Sequence, residues 1–189
     1  MTTQRPLRAD AERSVRAILE AAERVLSRDP AASMEQIAEA AGVARATVHR
    51  RFTTRQALLD AMATDVVRQL DALIDEARPE TAPPLVALHR ITAGVLRVKL
   101  AWPFAMAWSM DPTSPLAEGQ ARIATRCDAL LLRAQADGHL PPNTDLPWTR
   151  RVYYALLGEA AHTPTDIPDP DTLATLVLNT LLHGVGPRT

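Results

Sequence analysis

The 189-residue sequence predicts an all-α protein of about nine helices, with a small three-helix head at its N-terminus and a longer helical body behind it. Two observations carry that fold class. Apolar residues recur at helical spacing in run after run from Val15 to Leu182, with Pro and Gly clustered between the runs. No stretch alternates apolar and polar residues over the length of a strand, and no internal repeat is visible.

Met1 to Ala9 reads as a polar tail carrying Arg5 and Arg8, either a basic arm for a polyanion or a frayed terminus. From Asp10, the residues Val15, Ile18, Leu19, Ala22, Val25 and Leu26 mark a first helix that ends near Arg28, before Asp29-Pro30. Ser33 followed by Gln36 is a capping-box signature, so a second, short helix starts there with Ile37, Ala38 and Ala41 inward. Gly42 suits the left-handed residue that stops such a helix. Val43 plugs the turn, and a third helix from about Ala44 to Arg51 buries Val48 and leaves Arg45, Thr47, His49 and Arg50 on its other faces. Two short helices joined by a tight Gly-containing turn form a helix-turn-helix, whose second helix enters the DNA major groove.

The local charge agrees. Between Ala40 and Leu59 there is no Asp or Glu, while Arg45, Arg50, Arg51 and Arg55 all fall there. Such a stretch is an electrostatic footprint for phosphates.

The run Gly42-Val-Ala-Arg-Ala-Thr-Val-His-Arg-Arg-Phe52-Thr-Thr-Arg-Gln-Ala-Leu58 resembles the signature of the tetracycline-repressor (TetR) family of transcriptional regulators. Members usually carry Gly-Val-Ser-Lys/Arg-Gly/Ala-Thr-Leu-Tyr in the first part and Lys-Glu-Ala-Leu in the second. The strong resemblance covers roughly residues 10 to 60; beyond them it extends only to chain length and an all-helical remainder. Ala44 replaces the usual Ser or Thr and leaves the third helix poorly capped, a loss of about 1 kcal/mol. His49 replaces the usual Tyr, which puts an imidazole where a phenol normally sits.

Thr54 is a good N-cap for a fourth helix to about Arg78, with Leu58, Ala61, Val66, Leu70, Leu73 and Ile74 on its apolar face. Arg55 in its first turn runs against the dipole preference for acids there, which a bound phosphate would explain and an ordinary exposed Arg would not require. Phe52 reads as a core anchor. Domain organisation follows: residues 1–54 as the helix-turn-helix DNA-binding domain and 55–189 as a helical effector-binding and dimerisation domain.

Within the body, Pro79 to Pro84 forms a boundary, and Leu85, Leu88, Ile91, Val95, Leu96 and Leu100 mark a fifth helix that Trp102-Pro103 ends or kinks. A short crowded segment, Phe104 to Met110, stops at Asp111-Pro112. Leu116 to Asp137 reads as a long helix closed by Gly138, Pro147 to His162 as the next, and Asp171 to His183 as the last, ended by Gly184.

Net charge near zero (−1) gives no global sign of nucleic acid, but residues 1 to 60 hold ten Arg against eight acids and the remainder ten Arg and one Lys against fourteen. The positive excess is local. One Cys excludes an internal disulfide. With no signal-like start and no apolar run near eighteen residues, a cytoplasmic, membrane-free protein is expected. The five His show no metal-ligand spacing, and neither a Gly-rich phosphate loop nor Gly-x-Ser-x-Gly is present, so no metal, cofactor or catalytic residue is assigned.

The resemblance implies an effector site among the helices from about residue 55 to 137. Trp102, Phe104, Met106, Trp108 and Met110, with Ile123 and Cys127, are the candidate lining, although aromatics and Met at this spacing also suit ordinary core. The resemblance also implies pairing through the last two helices. The final one is apolar on so many sides that a second burying surface is expected, with Tyr153, Leu156, Leu157, Leu173, Leu176, Val177 and Leu181 at a homodimer interface.

The expected function is a ligand-responsive transcriptional regulator, not an enzyme: a repressor that binds a near-palindromic operator in double-stranded DNA as a dimer and is released by a small, largely apolar effector. Arg45, Ala46, Thr47, His49, Arg50, Arg51 and Arg55 are the DNA-facing candidates. A helical small-molecule-binding protein or enzyme that keeps the head as a scaffold is the rival reading, and salt-dependent binding to specific DNA separates the two.

Overall fold

The structure, a computed structural model, describes residues 4–109, 116–162 and 169–185, with side chains from residue 12 onward. These residues form nine helices and no strand: α1 (Gln4–Leu26), α2 (Met34–Ala40), α3 (Arg45–Arg51), α4 (Arg55–Ala77), α5 (Pro84–Ala101), α6 (Pro103–Ser109), α7 (Ala117–Ala136), α8 (Leu146–Ala160) and α9 (Pro170–His183).

Helix ends follow local chemistry. The Ser33 hydroxyl accepts the Gln36 N–H at 3.3 Å while the Gln36 side chain accepts the Ser33 N–H at 2.7 Å, a complete capping box. Gly42 takes φ 66°, which lets the Val43 N–H reach the Ala38 carbonyl at 3.1 Å and turns the chain sharply into α3. Thr54 caps α4 by accepting the Ala57 N–H at 3.0 Å. Asp145 and Asp169 cap α8 and α9, each just ahead of a Pro in the first turn. Two helices differ from expectation. α1 starts at Gln4, six residues earlier than Asp10, because Pro6 lies in the first turn, where no N–H has an intrahelical partner to lose. The crowded segment after Trp102 is a helix of its own, restarted by Pro103 at its first position.

The chain divides into two compact units. The first comprises Met1–Val66 with Trp102–Pro115, and the second Val67–Ala101 with Leu116–Thr189. α4 begins in the first and ends in the second.

In the first unit α1 packs on α2 and on α6, and α2 packs on α3. Ile18, Leu26, Ile37, Val48, Leu58 and Met62 are fully buried, and Phe52 is buried beside the end of α3 as an anchor. In the second unit α5 lies along α9, and α8 packs against α9, α7 and α5. Leu88, Leu96, Leu130, Tyr153, Leu157, Leu173 and Val177 form its core. Inside that core the Tyr153 hydroxyl pairs with the Thr92 hydroxyl at 2.8 Å, so the phenol is satisfied where it is dry. α7 holds the end of α4 by ion pairs: Arg122 with Asp71 at 2.5 Å and Arg126 with Asp75 at 2.7 Å, one helical turn apart on both helices. Arg133 then donates to the carbonyls of Pro79 and Ala82 in the following loop.

Candidate nucleic-acid interface

The third helix buries one side chain, Val48. With Phe52 four residues later also buried, the inward line of α3 is fixed, and the 3.6-residue period turns the remaining positions outward. Arg45, Ala46, His49, Arg50 and Arg51 are exposed, and Thr47 is half-buried. His49, Arg50 and Arg51 occupy the last turn, where cations complement the helix dipole. Ala44 makes no side-chain cap bond; the first turn is closed only by backbone, with Thr47 N–H to the Ala44 carbonyl at 2.8 Å. The result is a short helix presenting three guanidinium groups and an imidazole to solvent, a surface suited to phosphates and guanine edges.

Polar contacts that spacing could not reveal shape this surface. Glu35, in the first turn of α2, meets the Arg45 guanidinium at 2.6 Å. Its carboxyl is held below the ordinary carboxylate value, first by its own backbone N–H and the Ser33 hydroxyl, then by Arg45 and His49. Arg55 is engaged with the head itself, donating to the carbonyls of Ala32 and Pro30. That contact accounts for a cation in the first turn of α4, and any phosphate bond from Arg55 must use its remaining N–H groups. Arg24 on α1 donates to the Ala40 carbonyl at 3.3 Å, at the end of α2.

The effector candidates fall in both units. Trp102, Phe104 and Trp108 are half-buried and Met106 is buried, all on or beside α6 in the first. Met110 lies outside the described residues. Ile123 and Cys127, half-buried one turn apart on α7, belong to the second. Burial, with the Asp128 carboxylate beside it, pushes the Cys127 thiol up to about 12. The first residues of α6 share one carboxylate: Glu23, absent from the sequence-based candidates, reaches the N-terminus of that helix.

The dimer candidates divide by burial. Tyr153, Leu157, Leu173 and Val177 lie in the core of their own chain, where α5 and α8 cover the sides of α9 that a partner was expected to cover. Leu156 and Leu181 pack partly on the same core. Leu176 alone of the seven faces out, 60% exposed, on a stripe with Thr172, Thr175 and Asn179. Trp148 on α8, 57% exposed and stacked under the Arg151 guanidinium, is an outward residue missed by periodicity.

Residues 18–62 match the model of the bacterial regulatory proteins of the tetR family. The chain is 32% identical over 182 residues to the HTH-type transcriptional repressor LfrR of Mycolicibacterium smegmatis, covering 92% of this chain and 91% of that one. It is 33% identical over 114 residues to the HTH-type transcriptional regulator NfxB of Pseudomonas aeruginosa, covering 58% and 60%. Among solved structures, LfrR in complex with proflavine superposes with a TM-score of 0.69 at 30% identity, covering 94% of this chain and 99% of that one. The fold is shared with PfmR of Thermus thermophilus, TM-score 0.76 at 22% identity, over 90% of this chain and 99% of that one.

Proposed function

This chain belongs to the TetR family and is a DNA-binding transcriptional regulator, and from that premise we propose that it is a repressor whose homodimer binds a near-palindromic operator and is released by a small, largely apolar effector. The observation that carries the DNA side is α3, which buries Val48 and leaves Arg45, Ala46, His49, Arg50 and Arg51 side by side in solvent. Each dimer places two such helices in successive major grooves, with half-sites about one turn of ~34 Å apart or somewhat more. Arg45 and Arg50 read guanine edges, where a bidentate Arg contributes ~1–3 kcal/mol of discrimination. Thr47 meets a thymine methyl or a phosphate, Ala46 allows close approach, and His49 and Arg51 bind phosphates and set register. Arg55 acts chiefly by bracing the loop before α2.

Pairing uses the outward faces of α8 and α9, supported by the exposure of Trp148 and Leu176. The effector is held by the aromatic group around α6; the solved complex of LfrR with proflavine makes that compound the first probe. α4 follows directly on the head and is the lever we infer between effector and DNA. It works only if the effector prefers one arrangement of the lever over the other. The protein regulates without catalysis, and it works in the cytoplasm where its operator lies. Among the described residues no helix is long and apolar enough to cross a membrane.

Selection of bound sequences from a random duplex pool, repeated with Arg50→Ala, tests the reading. A two-fold-symmetric motif that degrades at matching positions in the variant is expected. No enrichment at low salt by the folded protein overturns it.

A further inference from the structure

The acid-free stretch of sequence around the third helix is not acid-free in space. α2 delivers the Glu35 carboxylate to the outer face of α3, 2.6 Å from the Arg45 guanidinium, with the side chains of both residues largely in water. His49, one turn beyond Arg45, lies within the same field. As a stabilising device the pair is weak, since exposed ion pairs gain little over hydration and are screened by salt. An acid on a surface that must approach phosphates also costs affinity for every DNA sequence alike. A first-turn acid also suits the dipole of α2, but that role needs no contact with Arg45, whereas discrimination uses the contact itself.

We propose that Glu35 is a specificity-determining positioning residue, which holds the Arg45 guanidinium toward the base edges and away from the nearest phosphates. This rests on the reading that α3 enters the major groove. The contact runs from Nη2 of Arg45 to one carboxylate oxygen of Glu35, so the remaining N–H groups of the five-donor fork stay available for a guanine. In the groove water is displaced and the pair strengthens, because the dielectric around it falls. With a guanine present, Arg45 bridges carboxylate and base. With another base there, Arg45 loses the paired O6 and N7 acceptors of guanine, and freeing it for a phosphate would leave Glu35 uncompensated beside the polyanion. Glu35 therefore raises the penalty for a wrong base and lowers binding to random DNA.

The experiment compares wild type, Glu35→Gln, Arg45→Ala and Glu39→Gln by selection from a random duplex pool and by titration of a non-specific duplex against salt. Glu39→Gln removes the same unit charge from the last turn of α2 and controls for net charge alone. Glu35→Gln is expected to tighten non-specific binding several-fold more than Glu39→Gln does. Its log–log salt slope should steepen by about one unit, as one further phosphate contact forms. Its motif should lose information at the same base pairs that Arg45→Ala loses. If the two Gln variants behave alike, or the Glu35→Gln motif keeps its sharpness at the Arg45 positions, the proposal fails. If wild type and Arg45→Ala give one and the same motif, Arg45 reads no base and the proposal fails as well; if wild type gives no motif, base reading by α3 has failed instead. Thermal melts of all variants separate these outcomes from loss of the head's fold.

Discussion

Glu23 and Phe104 are 81 residues apart in the chain, yet the Glu23 carboxylate accepts the Phe104 N–H at 2.8 Å. Its second oxygen accepts the Ala105 N–H at 3.0 Å, and the Ser27 hydroxyl donates to the first at 2.7 Å. Glu23 is 5% exposed, so this is a buried carboxylate whose partners are two free N–H groups of a helix start and a hydroxyl. α6 follows Trp102, which offers no side-chain cap, and α1 supplies the missing acceptor.

Replacing Glu23 by Ala therefore leaves two N–H groups of the helix start without their acceptor, Ala105's buried and Phe104's partly so. Hydrogen bonds to a charged group contribute about 1.5–3 kcal/mol each, and unpaired buried donors carry a comparable penalty. A fall in unfolding free energy of about 2 kcal/mol or more is expected in urea titrations. Glu23→Gln, which keeps one acceptor, should lose less. Equal stability of all three proteins would refute the cap.

Gly119 on α7 is a close-approach residue. A Cβ built there would lie 2.9 Å from Cγ1 of Val67 on α4, and Val is too stiff at χ1 to swing aside freely. Gly→Ala in an open helix gains about 1 kcal/mol. Here overpacking, about 1–3 kcal/mol, outweighs it. Gly119→Ala is expected to destabilise the protein and Val67→Ala to rescue it in part, giving a double-mutant coupling well above measurement error. Additive effects would sink the close contact.

The Cys127 thiol is raised from its ordinary 9.0 to about 12, chiefly by burial and then by Asp128. A thiol pKa higher in the folded state than in the unfolded chain adds stability that is complete below about pH 8.5 and is lost as pH climbs toward the folded value. Burial moves the Tyr153 and Tyr154 hydroxyls upward too, so their contributions decline in the same direction above about pH 10. Urea midpoints should accordingly drop between about pH 8 and 10, and Cys127→Ala should flatten that drop. Native protein should also resist iodoacetamide at about pH 8 while unfolded protein reacts, because the thiolate is the nucleophile. Fast native alkylation would contradict the environment described.

Leu176 tests the pairing surface without disturbing the core. Being 60% exposed in the single chain, it can become Glu with little change in monomer stability. Leu176→Glu is expected to shift sedimentation at micromolar concentration from dimer to monomer and to weaken operator binding. Leu173→Glu, by contrast, places a charge in the chain's own core and should unfold it. A Leu176→Glu protein that stays fully dimeric would move the interface elsewhere.

What the sequence by itself determined is what short range decides. Ser33 with Gln36, Gly42 before Val43, Thr54, and the Pro residues opening α8 and α9 act within four residues of where they stand, so spacing alone places them. The inward turn of Val48 and the outward turn of Arg45, His49 and Arg50 follow from the helical period in the same way. Only the tertiary structure decided which groups meet across elements. A one-dimensional pattern shows that α9 is apolar on many sides, but not that α5 and α8 already cover Leu173 and Val177 and leave Leu176 in solvent. Nor does it show the crossing of α2 and α3 that brings Glu35 to Arg45, the reach of Arg55 to Ala32, or that of Glu23 to Phe104. Those contacts depend on how helices cross, which is set by the packing of all their faces together rather than by the periodicity of any one.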